Sequence, residues 1–165
     1  MQTTDLTSSL ARLFAELAEG VPARGEAFML NSGDIGLLRS LDKLSAADAS
    51  RSVNEGATIA AHARHLQYGL SLMNRWAREG GNPFADATWD EAWKTSVVND
   101  AEWTSIRRVL ADEARQWREI LATPREAGLM ELSGIIGSIA HLAYHLGAIR
   151  QIDKSTRGPK EGTFA

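Results

Sequence analysis

Apolar residues recur at helical spacing in four stretches of the chain, and this periodicity restricts its fold more than any other feature. In an amphipathic helix, apolar side chains three and four positions apart lie on one face, which packs into the core. No segment between turn signals shows the apolar and polar alternation that is typical of a half-buried strand. The pattern therefore predicts an all-α protein.

The first stretch is interrupted by residues that disfavour a helix. Its apolar stripe runs from Leu6 to Leu17 and resumes from Ile35 to Leu44. Gly20 to Pro22 lie between the two parts, and glycine and proline both disfavour a continuous helix. We expect two helical segments that together form a first arm.

The second stretch predicts a helix from about Glu55 to Glu79. Asn54 is a candidate N-cap, because its side chain can accept a hydrogen bond from a backbone N–H group of the first turn. Gly80-Gly81 predict the end of the helix, since glycine adopts the left-handed conformation there at little cost. The expected buried stripe of this helix contains Ile59, Leu66, Leu70 and Met73.

The connection after the second helix, residues 80–98, is long for a helical bundle. A connection of this length can cross a bundle between two parallel helices. It contains Pro83 and three aromatic rings, Phe84, Trp89 and Trp93. With Trp76, the tryptophans predict either a substrate pocket or aromatic packing that anchors the connection, and we favour packing.

The third and fourth helices follow. Asn99 can cap the third helix while Glu102, three residues on, reaches back in a capping box, and the helix should end near Leu121. The fourth helix is expected from about Leu129 to Asp153.

At 165 residues the chain has room for one well-buried core. We expect one domain over residues 1–155 and a frayed polar tail over residues 156–165.

Composition excludes several classes of function. The chain has 44% hydrophobic and 24% charged residues and no cysteine, so disulfides and thiolate metal ligands are excluded. Its formal charge of −3 comes from interspersed acids and bases without a basic stripe, so we expect no nucleic-acid partner. No continuous apolar run approaches the ~18 residues of a spanning helix, and the N-terminus lacks a signal-peptide pattern. We expect a cytoplasmic protein that does not bind a membrane.

All four histidines fall in two helices, His62 and His65 in the second and His141 and His145 in the fourth. His141 and His145 are four residues apart, so at about 100° per residue they point the same way one turn apart. Helices use this spacing to offer two imidazoles to one ion. Small neighbours along this face, Gly134, Ser138 and Ala148, leave room for a metal.

A third imidazole from the second helix would complete the ligand set of an open metal site. The three-residue spacing of His62 and His65 lets only one of them lie ideally, and Gly69, one turn after His65, favours His65. Imidazole ligands suit zinc, nickel, copper and iron alike. The competing interpretation is ordinary half-buried histidines, which an isolated histidine pair would favour.

The segments TIAAHARHLQYGL and HLAYHLGAIRQI resemble the DinB/YfiT-like metalloprotein superfamily, as does NSGDIGLLRSLDKLSAADAS before the second helix. Residues 80–121 match only in pattern. The resemblance implies a four-helix bundle with a long crossover between helices 2 and 3. It also implies a divalent metal, zinc or nickel before iron or copper, held by His65, His141 and His145, with no assigned role for His62.

The resemblance implies a thiol-transferase type of enzyme that acts on a small-molecule substrate with a low-molecular-weight thiol as co-substrate. A metal-dependent hydrolase is the alternative reaction. Either reaction needs a proton donor or acceptor, and the sequence offers Glu55, Tyr68, Tyr144 and Gln151 without ranking them.

Two alternatives fall outside enzymes. One is a metal-free bundle that binds a ligand. The other is a non-catalytic homodimer with a structural metal. A homodimer is also the expected assembly, and a second apolar stripe formed by Ile106, Val109 and Leu110 is its candidate surface, although the same residues could be core.

Overall fold

The structure, a computed structural model, describes residues 3–160. Within this range all regular structure is helical, with seven α-helices, one short 3-10 helix and no β-strand, which confirms the predicted all-α class. The α-helices are α1 (Thr3–Glu19), α2 (Gly36–Leu41), α3 (Ala46–Ala49), α4 (Ile59–Glu79), α5 (Trp89–Trp93), α6 (Asp100–Ala122) and α7 (Leu129–Ile152), and the 3-10 helix covers Lys154–Thr156.

The four long helices α1, α4, α6 and α7 enclose one core. Both α1 and α4 contact both α6 and α7. The largest side chains of the core are fully buried and come from several helices, and they include Phe14, Trp103, Leu110, Trp117 and Ile149. Burial of each large apolar side chain contributes roughly 1.5–3 kcal/mol, so this core is the main source of stability.

Helices α4 and α6 run parallel. Near their C-terminal ends, Asn74 Nδ2 donates a hydrogen bond to the carbonyl oxygen of Glu113 at 3.0 Å. Near their N-terminal ends, Arg64 and Ser105 line the same groove. Two parallel neighbours cannot be joined by a tight turn, which explains why the connection over residues 80–99 is long and contains the short helix α5.

The start of α4 differs from the prediction. Thr58 is its N-cap and accepts a hydrogen bond from the backbone N–H of Ala61. Asn54 and Glu55 have φ angles of 51° and 59°, in the left-handed region, so neither belongs to a right-handed helix. The predicted start at Glu55 with Asn54 as the cap is therefore wrong, whereas the predicted stop at Gly80 is confirmed by its φ of 71°.

Helix α6 begins as predicted. Asn99 accepts a hydrogen bond from the backbone N–H of Glu102, whose side chain accepts one from the backbone N–H of Asn99. The apolar stripe proposed as a dimer surface lies on this helix, but Ile106 and Leu110 are 8% and 0% exposed and belong to the core. Ile106 and Leu110 are therefore not available for a dimer surface, and Val109 beside them is half-buried.

The interruption after α1 is confirmed, and a buried carboxylate organises it. Glu16 accepts hydrogen bonds from the backbone N–H groups of Phe28, Met29 and Leu30 at 3.0, 2.6 and 2.6 Å. Gly20 has a φ of 92° and lies so close to the next segment that a Cβ there would be 2.2 Å from the carbonyl oxygen of Asp34. Only glycine fits at position 20, where the two backbone segments approach each other this closely.

The first residues of the tail are packed rather than frayed. Thr156 is fully buried, and Arg157 Nε donates a hydrogen bond to the carbonyl oxygen of Arg150 at 3.0 Å. Gly158 lies against the side chain of Asp34. The prediction of a frayed tail is therefore wrong for residues 156–158. The last residues of the predicted tail, 161–165, lie outside the described residues.

Helix α7 is the one described helix that is long and apolar enough to cross a membrane by length and composition alone. It has 24 residues, and the mean hydropathy of its most apolar window is 1.4. A third of that window is buried against the rest of the protein. Core helices pass the same test, so this finding is weak evidence for a membrane span.

Candidate metal centre

Helices α4 and α7 run antiparallel, and their register brings all four histidines together. His62 of α4 lies beside His145, and His65 lies beside His141. One turn further along α4, a Cβ on Gly69 would be 3.8 Å from Cε1 of His141. Residue numbers thus rise along α4 as they fall along α7. Each histidine of α4 therefore faces one histidine of α7.

His65, His141 and His145 form a histidine triad whose ligand atoms all lie within 4.8 Å of one another. The Nε2 atom of His141 is 3.0 Å from that of His65 and 2.9 Å from that of His145. Over residues 3–160 it is the one group of three or more such side chains close enough to share an ion. The structure therefore brings together the three residues that the sequence singled out.

The donor atoms of the histidine triad fit a cation better than they fit each other. Each neutral imidazole nitrogen carries either one proton or one lone pair, so Nε2 of His141 makes only one good hydrogen bond to its two neighbours. Two nitrogens bound to one ion at about 2.0–2.1 Å lie at most about 4 Å apart, and the two separations from Nε2 of His141 satisfy this limit. A cation would satisfy all three lone pairs at once.

Burial keeps the histidine triad neutral. Desolvation, followed by the positive charges that His141 and His62 would carry, lowers the pKa of His65 to about 4. Desolvation, followed by the same electrostatic effect of its three histidine neighbours, lowers the pKa of His145 to about 3. Burial also lowers the pKa of His62 and of His141. At neutral pH the imidazoles are therefore free to bind a metal without first losing a proton.

His62 is an outer partner of the triad. Its Nδ1 lies 2.7 Å from Nδ1 of His145. If Nε2 of His145 presents a lone pair to the triad, its proton is on Nδ1, which donates to His62. His62 must then carry its own proton on Nε2. Hydrogen bonds of this kind orient metal-binding histidines and fix their tautomer.

His65 is held in a different way from His145. Among the described residues, its buried Nδ1 has no hydrogen-bond partner. The ring stacks on Trp93, with centroids 4.4 Å apart and planes 25° apart, and it also contacts Trp89 at 5.3 Å. The short helix α5 thus covers the triad with the two tryptophans at its ends.

The aromatic residues of the connection combine the two predicted roles. Trp93 packs on the triad, whereas Trp89 lines a cavity, and Trp76 packs against α7 where a Cβ on Gly134 would be 2.6 Å from its ring. The close contact explains why a small residue is needed at position 134. Gly134 and Ser138 nevertheless line the same cavity as Trp89 and His141, so these two small residues leave open space beside the ring, as predicted.

A cavity of about 310 Å³ adjoins the triad at His141. We call it the apolar cavity, and its main walls are Leu66, Gly69, Met73, Phe84, Trp89 and His141. Its lining contains no acidic, lysine or arginine side chain. The sequence offered a pocket only as the less favoured role of the tryptophans and did not identify its walls, because they come from α4, α7 and the connection and meet only in the folded chain.

Two of the four candidate proton-transfer residues lie near the triad. The ring of Tyr144 meets the ring of His145 edge-on at 5.0 Å, although 70% of Tyr144 is exposed. Tyr68 contacts Trp89, and its hydroxyl accepts a hydrogen bond from the backbone N–H of Thr88 at 2.9 Å. Tyr144 is therefore the candidate in direct contact with the triad.

The other two candidates lie elsewhere on the surface. Glu55 is exposed in the loop before α4. Gln151 is exposed at the end of α7, where its side chain accepts a hydrogen bond from Arg157 at 3.2 Å. In the described part of the chain neither of them contacts the histidine triad.

No protein-family model, curated protein or solved structure matches this chain. The resemblance to the DinB/YfiT-like superfamily therefore rests on the quoted segments alone.

Proposed function

We propose that the chain is a DinB/YfiT-like four-helix bundle that binds one divalent metal ion. In this proposal α1, α4, α6 and α7 are the four helices, and the connection over residues 80–98 is the crossover between the second and the third. The shared core of these helices and the parallel course of α4 and α6 support it.

The ligands in this proposal are His65, His141 and His145. The observation that carries it is the convergence of three Nε2 atoms, two of them 2.9 and 3.0 Å from the third. With three imidazole ligands and no thiolate, zinc or nickel is the proposed ion, and iron and copper are the alternatives. Three protein ligands also leave a position open, which is typical of catalytic rather than structural sites.

The proposed reaction class is a thiol transferase. A divalent ion bound there would act as a Lewis acid and lower the pKa of a thiol or water ligand toward neutrality. The chain has no cysteine, so the thiol would come from a low-molecular-weight co-substrate. The protein supplies neutral imidazoles, a hydrogen bond from His145 to His62, and tryptophan rings that limit water access from the α5 side.

A metal-dependent hydrolase uses the same site with water in place of the thiol. The two reactions differ in one measurable respect, because only the transferase requires an added thiol. Assays of the zinc-loaded protein on electrophilic substrates, with and without small thiols, separate them. Turnover that is independent of thiol would favour the hydrolase.

The non-enzymatic alternative is a homodimer with a structural metal, and one observation favours a dimer surface on α7. Between Glu131 and Arg150 this helix has no charged residue, and its outer face exposes Ile136 and Tyr144 at 52% and 70%. Ala140, also exposed, lets a second helix approach closely. A second copy offers an equally uncharged face, so a two-fold contact would bury no unpaired charge.

Size-exclusion chromatography with light scattering tests this assembly. We expect a dimer for the wild type and a monomer for Ile136→Glu, which places a charge at the centre of the contact. A wild-type monomer at high micromolar concentration would refute the dimer. Neither outcome bears on the histidine triad, which lies between α4 and α7.

Metal content tests the main proposal. Untagged protein is purified, and its metals are measured by mass spectrometry beside His65→Ala, His141→Ala, His145→Ala and the control Gln151→Ala, an exposed position of α7. We expect near-stoichiometric zinc or nickel in the wild type and the control, and loss of metal in the three histidine variants. A folded wild-type protein that rejects added zinc and nickel would leave only a metal-free bundle.

A further inference from the structure

The apolar cavity and the histidine triad share one side chain. His141 contributes Nε2 to the triad, and its ring also forms part of the cavity wall. A small molecule that fills the cavity would therefore contact the edge of the proposed metal centre.

The lining of the cavity selects for an uncharged ligand. The walls are formed by apolar and aromatic side chains such as Leu66, Met73 and Phe84, together with backbone at glycines. Ser138 adds a hydroxyl, but this group already accepts a hydrogen bond from Trp117 Nε1 and donates one to the carbonyl oxygen of Ile135. A buried charge would find no partner here, and an unpaired buried charge is costly.

The shape of the cavity depends on Gly69 and on two parallel rings. Phe84 and Trp89 stack with planes 13° apart and centroids 6.2 Å apart, and both rings line the cavity. A Cβ on Gly69 would lie 3.8 Å from both His141 and Trp89, in ordinary contact. A longer side chain at position 69 would project between them, into the space next to the triad.

We infer that the apolar cavity binds the uncharged aromatic or branched aliphatic body of a small-molecule substrate, whose reacting end then lies at His141. Placing the reacting end there rests on the proposed function, whereas binding of the body does not. The cavity has about twice the volume of an engineered apolar cavity of ~150 Å³ that takes up benzene, so a bicyclic body fits.

Two fluorescent probes that differ by one sulfonate test the inference. N-phenyl-1-naphthylamine is neutral, and 1-anilinonaphthalene-8-sulfonate is its anionic counterpart. Both are titrated into metal-free protein, and fluorescence and quenching of tryptophan are recorded. We expect one site for the neutral probe and at least tenfold weaker binding of the sulfonate.

A matched pair of glycine variants locates the bound probe. Gly69→Leu fills the cavity and should weaken binding of the neutral probe at least tenfold. Gly147→Leu places the same side chain on the exposed face of α7, where a Cβ would meet no atom within 4 Å, and should leave binding unchanged. Gly69→Ala should weaken binding to a smaller extent, and we expect this variant to fold, because its Cβ makes ordinary contacts and alanine is the better helix former.

The results separate this inference from the metal proposal, because zinc uptake is measured on the same samples. Equal binding of the two probes, or equal binding by wild type, Gly69→Leu and Gly69→Ala, would overturn the inference even if zinc binds with full stoichiometry. Neutral-probe binding that Gly69→Leu abolishes supports the cavity as a ligand site, and absence of zinc in that protein would refute only the proposed metal centre.

Discussion

The Nδ1 atoms of His62 and His145 lie 2.7 Å apart, so the fourth histidine of the chain contacts His145 through the nitrogen that does not face the triad. One nitrogen of each ring faces the other ring, and His145 presents its remaining nitrogen, Nε2, to His141 at 2.9 Å. His62 is therefore placed to orient a ligand rather than to act as one.

Replacing His62 by phenylalanine should weaken zinc binding by about 10–100-fold without abolishing it, because the ring volume remains but the hydrogen bond to His145 is lost. His62→Asn should recover part of the affinity, since an amide oxygen can accept the same hydrogen bond. Competition with a chromophoric chelator measures both affinities. A loss as complete as that of His145→Ala would make His62 a ligand, and an unchanged affinity would remove its orienting role.

The shared direction of two histidines could be predicted from the sequence, whereas the contact of the fourth histidine could not. The four-residue spacing of His141 and His145 is a local property of one helix, so it predicted their shared direction correctly. The contact between His62 and His145 depends on the register of α4 against α7, which tertiary packing sets. The preference for His65 over His62 in the triad agrees with the structure, but no sequence signal assigned a partner to His62.

Helix ends were predictable where one cap dominates. Asn99 and Glu102 form a reciprocal capping box, and this local signal located the start of α6. Before α4, both Asn54 and Thr58 are competent caps, and the choice depends on where the chain leaves the preceding loop. Thr58 also donates a hydrogen bond to the carbonyl oxygen of Ser96 in the distant connection, a contact that no local pattern reveals.

Two glycines of α7 should respond to alanine in opposite directions. At Gly134 a Cβ would lie 2.6 Å from the ring of Trp76, so Gly134→Ala forces a shift and should cost about 1–3 kcal/mol of unfolding free energy. At Gly147 a Cβ meets no atom within 4 Å, so Gly147→Ala should raise stability by up to about 1 kcal/mol. Urea denaturation of both variants measures the difference, and equal effects would contradict the packing of Trp76 on α7.

The ion pair of Asp34 and Arg150 should matter more than exposed pairs of the same kind. Arg150 Nη2 donates to Asp34 Oδ1 at 2.7 Å, and the side chain of Asp34 is only 2% exposed. Arg150→Met would leave this buried carboxylate without its cation and should cost about 3–5 kcal/mol. Arg115→Met breaks an exposed pair with Asp112 and should change stability by less than about 1 kcal/mol. Similar losses in the two variants, measured by urea denaturation, would contradict this ranking.

The metal-free protein should lose stability as the pH falls below 6.5. In the folded chain the pKa values of His65 and His145 are about 4 and about 3, below the ordinary value of 6.5 that applies to the unfolded chain. The unfolded state therefore binds more protons, so these histidines destabilise the fold progressively as the pH falls from about 6.5 to about 3, and have no effect above that range.

Urea denaturation at several pH values, with chelator present, measures this dependence. His145→Gln is the matched variant, because it keeps a polar side chain of similar length but removes one titrating group and one charge from the surroundings of His65. Carboxylates titrate in the lower part of the same range and affect both proteins equally, so the difference between the two curves isolates the histidine. We expect the variant to lose less stability between pH 6.5 and pH 4, and parallel curves would show that the imidazole of His145 is not held in its neutral form by the fold.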